Sequence, residues 1–533
     1  MPLHSLDFHA HHSPLGAYAS FTCGRFGAGG GLAIEGTRPP TQDLVIGYAE
    51  ADGVVHALPF YTGALAKPED FGLAAAADDK PRRRPLDAGL ERHCGRGSDR
   101  WTCGDFSFAI HTPVFPLPDP DHGGAEALQD AVLPVVAATL RLDNRTCAHA
   151  RTLVFGISPG RPCRLIDDAG DGVAVGWGLE LGLAAARQPG LQAWVEWDEQ
   201  AFLRHGRSHL LGAACGFVLT VPAGEVRELD LVCGFHRAGV VTTGLETRYW
   251  YTRRHGSLSS VLAAGLARLP ELKARAAEMD RALAASALDD DRRFLVAHAE
   301  RSYWGNTQLL DHAGKPLWVV LEGEYAMINT FDLTVDMCFY ELARNPWTVR
   351  NVLDQFIDRY SYVDTLARPA AGAVRIAHSH HRDPHQLGRF VPPPAATGLP
   401  GGISFTHDMG VYGHFTAPGT SSYEVSGLAG CFSQMTAEQL VNWILTAVSY
   451  VHASGDHAWL RARAGVFVAS LESLLNRDDP DPARRTGIVQ LDSDRCAGGW
   501  EITTYDSLDA SLGQARGNLY LATKAWAAWL GLE

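Results

Sequence analysis

No run in the chain approaches the roughly 20 apolar residues that a membrane helix needs, so no membrane span is expected. The start, MPLHSLDFHAHHSPLG, lacks both the basic and the apolar region of a secretory signal. The ten cysteines are scattered, with no CxxC and no metal-ligand spacing. Cys215, Cys233 and Cys338 sit inside apolar segments, where a cysteine acts as a small buried hydrophobe. A reducing cytoplasm is therefore the expected location, and no metal is expected. Clustered positive charge is missing too. The net charge is −14 and Arg82-Arg83-Arg84 is a short, isolated run, so a nucleic-acid surface, which needs clustered Lys and Arg, is excluded. GRFGAGGGLAIE (24–35) is Gly-rich but is neither GxGxxG nor a P-loop. HExxH is absent and no nucleophile elbow is expected, and no cofactor is expected.

What is present divides by period. A chain of 533 residues is too long for one core. Up to about residue 245 it reads as strands: TLRLDNRT and RTLVFGIS are short β-rich segments closed by Asn, Asp or Gly. GFVLTVPAGEVRELDLVCGF is two apolar runs around Pro222-Ala223-Gly224, a hairpin signal. Many short strands punctuated by Gly and Pro predict an antiparallel β-sandwich over 1–245. From about 256 the period becomes helical. SSVLAAGLARLPELKARAAEMDRALAAS reads as a helical connector (246–288), followed by DRRFLVAHAERSYWGNTQLL and TAEQLVNWILTAVSYVHASGD. In the last of these, Thr436 and Gln439 form a capping-box pattern, Leu440, Ile444, Val448 and Val451 share a face, and Gly455 marks the stop. Residues 289–533 are expected to be an all-α domain, interrupted by a long Pro- and Gly-rich loop over 368–402. Loops of that length are functional or disordered. Its HSHHRDPH (378–385) sits in a Pro-rich context that argues against a structural or catalytic metal. The terminal helix LGQARGNLYLATKAWAAWLGLE carries Leu512, Leu519, Trp526, Trp529 and Leu530 in need of burial, which predicts that part of the fold lies elsewhere.

Carboxylates among apolar residues are costly unless something uses them. EGEYAMINTFDLTVD (322–336) places Glu322, Glu324, Asp332 and Asp336 directly after the strand-like Trp318-Val319-Val320-Leu321. Val335, Cys338, Phe339 and Leu342 give helical spacing with Thr330 as N-cap, so Asp332 also suits the first helical turn, where the dipole favours an anion. Glu322 and Glu324 precede the helix and have no such role. A second acidic set, GGWEITTYDSLDASLGQ (498–514), places Asp506 beside Tyr505, with Asp509 the better N-cap. Two acidic sites with aromatic neighbours suit glycoside hydrolysis, one possibility among several. GGISFTHDMGVYGHFTAPGTSSYE (401–424) adds His407-Asp408, a pair that serves as a base, a sugar-hydroxyl ligand or, most commonly, ordinary loop hydrogen bonding.

These words resemble the glycoside hydrolase family 52 β-xylosidases. The likeness runs from FHAHHSPLGAYASFT through RPPTQDLVIG, RSYWGNTQLL, EGEYAMINTFDLTVD, NPWTVRNVLD, GGISFTHDMG, CFSQMTAEQLVNW and EITTYDSLDASLGQAR to AWAAWLGLE, in one order. The resemblance implies an α+β multidomain protein, an N-terminal antiparallel β-sandwich followed by an (α/α)6-barrel-type helical domain. It also implies retaining hydrolysis of xylosides from the non-reducing end. The first glutamate of EGEY, Glu322, is then the nucleophile and the aspartate of TTYD, Asp506, the acid/base. The sugar-gripping residues of related β-glucosidases of the same clan fall on Asp332, His407 and Thr504, and Glu324 and Tyr505 join the substrate-binding candidates. Family members tend to be dimeric, so a homodimer is expected, and the substrate partner is a xylo-oligosaccharide.

The chain departs from the family in three places. Leu321 replaces the usual asparagine, the loop 368–402 is longer, and the family's chain continues past Glu533, so the barrel is expected to be incomplete. A rival reading is therefore a catalytically silent remnant with at most a carbohydrate-binding or assembly role. Another keeps the enzyme but makes the sugar glucose.

Overall fold

Strands Ala214–Val221 and Val226–Phe235, which flank Pro222-Ala223-Gly224, do not pair with each other in the computed structural model of the chain. The expected hairpin is instead a crossing between two sheets. Asn144 holds it: its Nδ2 donates to the carbonyls of Val221 and Pro222 at 3.0 Å each. Its own carbonyl accepts from Gly224 N–H at 3.0 Å. Both strands are apolar on both faces over most of their length, and without alternation a strand's own pattern does not choose its neighbour.

The structure describes residues 7–62, 82–167, 169–370, 394–426, 435–496, 501–507 and 513–533, except the side chains of Asp336, Asp506 and Ser507. The chain forms two units, Met1–Val241 with Arg248–Ala313, and Thr242–Thr247 with Gly314–Glu533. It is an α+β multidomain protein with mostly antiparallel sheets.

In the first unit one sheet has eight strands, in the order Cys163–Ile166, Gly172–Trp177, Leu181–Ala186, Val226–Phe235, Val135–Asp143, Phe106–His111, Ser98–Cys103 and Glu91–Cys94. A second has six, in the order Leu191–Glu196, Ala214–Val221, Arg151–Ser158, Asp43–Ala49, Val55–Ala57 and Arg83–Pro85. The helical connector is two helices, Leu258–Ala267 and Leu269–Ala284. Pro270 is the cause. It has no N–H to continue the first helix but fits the opening turn of the next. Val261 and Leu262 pack into one buried cluster with Val135, Ala184 and Val232 of the eight-stranded sheet. The approach is so close that a Cβ at Gly265 would lie 2.6 Å from Val232 Cγ1.

The second unit is not all-α. Lys315–Glu322, Met327–Ile328, Gly410–Val411 and His414–Phe415 pair in that order, and Ser361–Arg368 lies between Ala396–Phe405 and Asp492–Ser493. Lys315–Glu322 contains the strand-like run 318–321 read from sequence, but the others are short or lie between helix signals, so the helical pattern around them hid them. The main helices are Phe331–Arg344, Pro346–Asp358, Thr436–Ser454, His457–Asp478 and Leu519–Leu532. Gly455 ends the third of these in the left-handed conformation, φ +67°, as the sequence predicts. The Thr436/Gln439 capping box does not form: Met435 is the N-cap, and the Thr436 hydroxyl donates to Glu501 Oε1 at 2.6 Å. On the last helix Leu521, Ala525 and Ala528 form the buried stripe, leaving Leu519, Trp526 and Leu530 exposed at 83%, 63% and 51%. Leu512, Asp509 and most of the 368–402 loop, including HSHHRDPH, lie outside the described residues. Among the described residues no helix is long and apolar enough to cross a membrane.

Candidate active site

Strand Lys315–Glu322 delivers Glu322 to the start of a turn that the sequence closes tightly. Gly323–Tyr325 is one 3-10 turn, and both Ala326 (φ +48°) and Asn329 (φ +49°) are left-handed and buried. Asparagine tolerates that conformation because its short side chain bonds locally. Here Asn329 Oδ1 accepts from Val320 N–H at 2.8 Å and Nδ2 donates to Trp318 O at 3.1 Å. Asn329 thus acts as an extra strand residue against Lys315–Glu322 and sets where Thr330 and Asp332 emerge. Beyond it, Phe331 stacks on Phe356, with centroids 3.9 Å apart, and anchors helix Phe331–Arg344.

Thr330 stands at the N-cap position but makes no capping bond. Its hydroxyl donates instead to Glu322 Oε2 at 2.8 Å. Burial, aided by the negative charges of Asp332 and Asp408, raises the Glu322 pKa above the ordinary glutamate value, while the Thr330 bond and His407 pull against that rise.

His407 is oriented from behind. Its Nδ1 lies 3.0 Å from Asp408 Oδ2, and its Nε2 lies 3.6 Å from Asp332 Oδ1. Asp408 is wholly buried and fully used: Oδ1 accepts from Gly410 N–H and Ser422 N–H, and Oδ2 also accepts from the Ser422 hydroxyl. The His407 carbonyl accepts from Phe331 N–H at 2.8 Å, which ties this loop to the start of the helix. Burial alone would lower the His407 pKa, but the Asp408 bond and the charges of Asp332, Asp408 and Glu322 outweigh it, and the net shift is upward.

The third element of the site is the 3-10 turn Thr504–Ser507. Thr504 Oγ1 donates to Asp332 Oδ2 at 3.0 Å, and Thr504 N–H donates to Glu438 Oε2 at 2.8 Å. Tyr505 packs edge-on against Tyr520, 4.7 Å between centroids. Ahead of this turn, buried Glu501 accepts from Thr436, Ala437 N–H and Ser493 N–H. Arg477 lies 3.5 Å from Glu501 and donates to Asp364 at 2.6 Å. Burial raises the Glu501 pKa, and Arg477 opposes the rise.

The residues singled out from sequence therefore part company. Glu322, Asp332, His407 and Thr504 fall in one cluster: Asp332 meets His407 and Thr504, and Glu322 feels the charges of Asp332 and His407. Glu324 is exposed on the turn after Glu322, and Tyr505 is half-buried against Tyr520. Asp506 belongs to the Thr504–Ser507 turn, but its side chain lies outside the described residues. Sequence reasoning missed Glu438, the role of Asp408 in aiming His407, and the use of the Thr330 hydroxyl. Glu438 left a signal: a carboxylate inside TAEQLVNWIL has the same uneasy setting as Glu322.

Residues 21–450 match glycosyl hydrolase family 52. Over 544 residues the chain is 41% identical to a beta-xylosidase of Geobacillus stearothermophilus, covering 99% of this chain and 74% of that protein. A second beta-xylosidase of the same organism is 36% identical over 555 residues, covering 99% of this chain and 85% of that one. A solved family GH92 inverting mannosidase from Bacteroides thetaiotaomicron shares 10% identity over 64% of this chain and 45% of its own, at a TM-score of 0.31, too slight a likeness to bear on the fold. The extent and identity of the first three matches place the chain: it belongs to glycosyl hydrolase family 52.

Proposed function

We propose that the chain is a retaining, exo-acting β-xylosidase that releases xylose from the non-reducing end of xylobiose, xylo-oligosaccharides and aryl β-xylosides. Glu322 is the nucleophile and Asp506 the acid/base. The observation that carries this reading is the setting of Glu322: a half-buried carboxylate bonded to Thr330 and flanked by Asp332 and His407. Ionised Glu322 attacks the anomeric carbon while Asp506 gives its proton to the departing oxygen. Asp506 then takes a proton from water, whose oxygen displaces Glu322 with a second inversion. The carboxyl groups of such a pair lie about 5–5.5 Å apart. Asp332, His407 and Thr504 grip sugar hydroxyls, with Glu324 and Tyr505 as further contacts.

In this reading residues 1–245 form a β-sandwich and 246–288 a connector, and 289–533 belong to an (α/α)6-type barrel. The protein works in the cytoplasm, as a homodimer.

The test is the initial rate on an aryl β-xyloside and an aryl β-glucoside, beside Glu322→Ala and Asp506→Ala. Preference for the xyloside, loss in both variants, and azide rescue to an α-glycosyl azide in the first and a β-glycosyl azide in the second are expected. Undiminished turnover in either variant would end the assignment, and a preference for the glucoside would change the sugar.

A further inference from the structure

Glu438 sits in the first turn of helix Thr436–Ser454, wholly buried, and neither oxygen is idle. Oε2 accepts from Thr504 N–H at 2.8 Å. Oε1 accepts from the Tyr520 hydroxyl at 2.6 Å and from Lys524 Nζ at 3.2 Å. Lys524 is itself fixed, donating to Tyr520 OH at 2.9 Å and to Asn442 Oδ1 at 2.5 Å. Thus three elements distant in sequence meet on one carboxylate: the helix that carries Glu438, the terminal helix Leu519–Leu532 and the turn Thr504–Ser507.

From this junction we infer that Glu438, held by Lys524 and Tyr520, is a positioning residue for Asp506. It rests on the reading of Asp506 as acid/base. The turn is pinned at Thr504 by two bonds, backbone to Glu438 and hydroxyl to Asp332, and at Tyr505 by the ring of Tyr520. Asp506 is the next residue. A charged acceptor on a backbone N–H makes one of the stronger hydrogen bonds, and removing it leaves that N–H unpaired. Its loss lets the turn shift, and misplacement of a reacting group by about 1 Å costs up to about 100-fold. A buried ion pair also serves stability alone, so the test has to read the acid's work rather than total activity.

Proton donation matters most when the departing oxygen is a poor leaving group and least when it leaves unaided. The experiment is therefore kcat/KM for Glu438→Ala and Asp506→Ala on phenyl β-xyloside and dinitrophenyl β-xyloside, each relative to the unaltered chain. The inference expects Glu438→Ala to lose at least about tenfold more on the phenyl than on the dinitrophenyl substrate. It also expects Glu438→Gln, which still accepts from Thr504 N–H, to recover most of that excess. Equal losses of Glu438→Ala on both substrates, with a steep difference in Asp506→Ala, would show Glu438 to be structural only. Equal losses in Asp506→Ala would instead bring down the acid/base assignment itself. If Glu438→Ala does not fold, Tyr520→Phe removes one donor to Glu438 and keeps the ring against Tyr505. It is expected to lose about threefold more on the phenyl substrate, and parallel losses overturn the inference there too.

Discussion

The Thr330 hydroxyl donates to Glu322 Oε2 at 2.8 Å, although Thr330 occupies the N-cap of helix Phe331–Arg344. A threonine there ordinarily accepts from a backbone N–H of the first turn. Here the proton points backwards, to a carboxylate eight residues earlier, and lowers the cost of keeping that carboxylate ionised.

Thr330→Val keeps the shape and removes the donor. With that bond gone, the Glu322 pKa rises further, so the acidic limb of the kcat/KM profile moves to higher pH. A hydrogen bond to a charged group is worth about 1.5–3 kcal/mol, so kcat/KM on an aryl β-xyloside is expected to fall about tenfold or more. Thermal stability should fall as well, since the bond is made in the folded chain. A pH profile whose acidic limb stays in place would refute the role given to Thr330.

Glu322→Gln should make the protein inactive and more stable. The folded-state pKa of Glu322 is raised, chiefly by burial, so folding favours its protonated form. That preference is fully present below the unfolded value of about 4.5 and is lost as pH rises through the folded value. Gln never ionises. The gain in Tm over the unaltered chain is therefore expected at pH 7 and should shrink as pH falls towards 4. A constant difference across that range would contradict the electrostatic cause.

At the hairpin between Gly410–Val411 and His414–Phe415 the two turn residues, Tyr412 (φ +49°) and Gly413 (φ +72°), are both left-handed. Turns of this kind favour Asn-Gly, and a bulky residue in that conformation costs roughly 1–2 kcal/mol. Tyr412 is 68% exposed, so little packing is lost with it. Tyr412→Asn is expected to stabilise the protein by about 1 kcal/mol, read as a higher urea midpoint. An unchanged or lower midpoint would show that the tyrosine ring compensates for its backbone.

Arg477, wholly buried, faces two buried carboxylates, Asp364 at 2.6 Å and Glu501 at 3.5 Å. Arg477→Met leaves both without their cation, a change that costs about 3–5 kcal/mol. Without Arg477 the Glu501 pKa rises further, so part of the loss should be recovered on acidification as the carboxylate protonates. Equilibrium unfolding at two pH values measures both effects. A loss that does not depend on pH would mean that packing, not charge, dominates.

Local pattern determined much by itself. The apolar run before Glu322 made a strand, the spacing after Thr330 made a helix, and Gly455 stopped another, because strand, helix and left-handed stop are each set by residues within a few positions. The ordered words from FHAHHSPLG to AWAAWLGLE resembled the family to which the chain belongs. Carboxylates among apolar neighbours drew attention to Glu322 and Asp332 without coordinates, His407 stood out beside Asp408, and Thr504 came only from the family resemblance.

Only the tertiary structure decided what those groups bond to. Val221 and Val226 flank a plausible hairpin turn, but Asn144, remote in sequence, turns it into a crossing between sheets. Thr330 and Thr436 both had the sequence of helix caps, and both hydroxyls went to glutamates instead, one 8 and the other 65 residues away. A hydroxyl can accept from a backbone amide or donate to a carboxylate, and the second bond is the stronger. Which one it meets is fixed by packing between distant segments, and no local period records that choice.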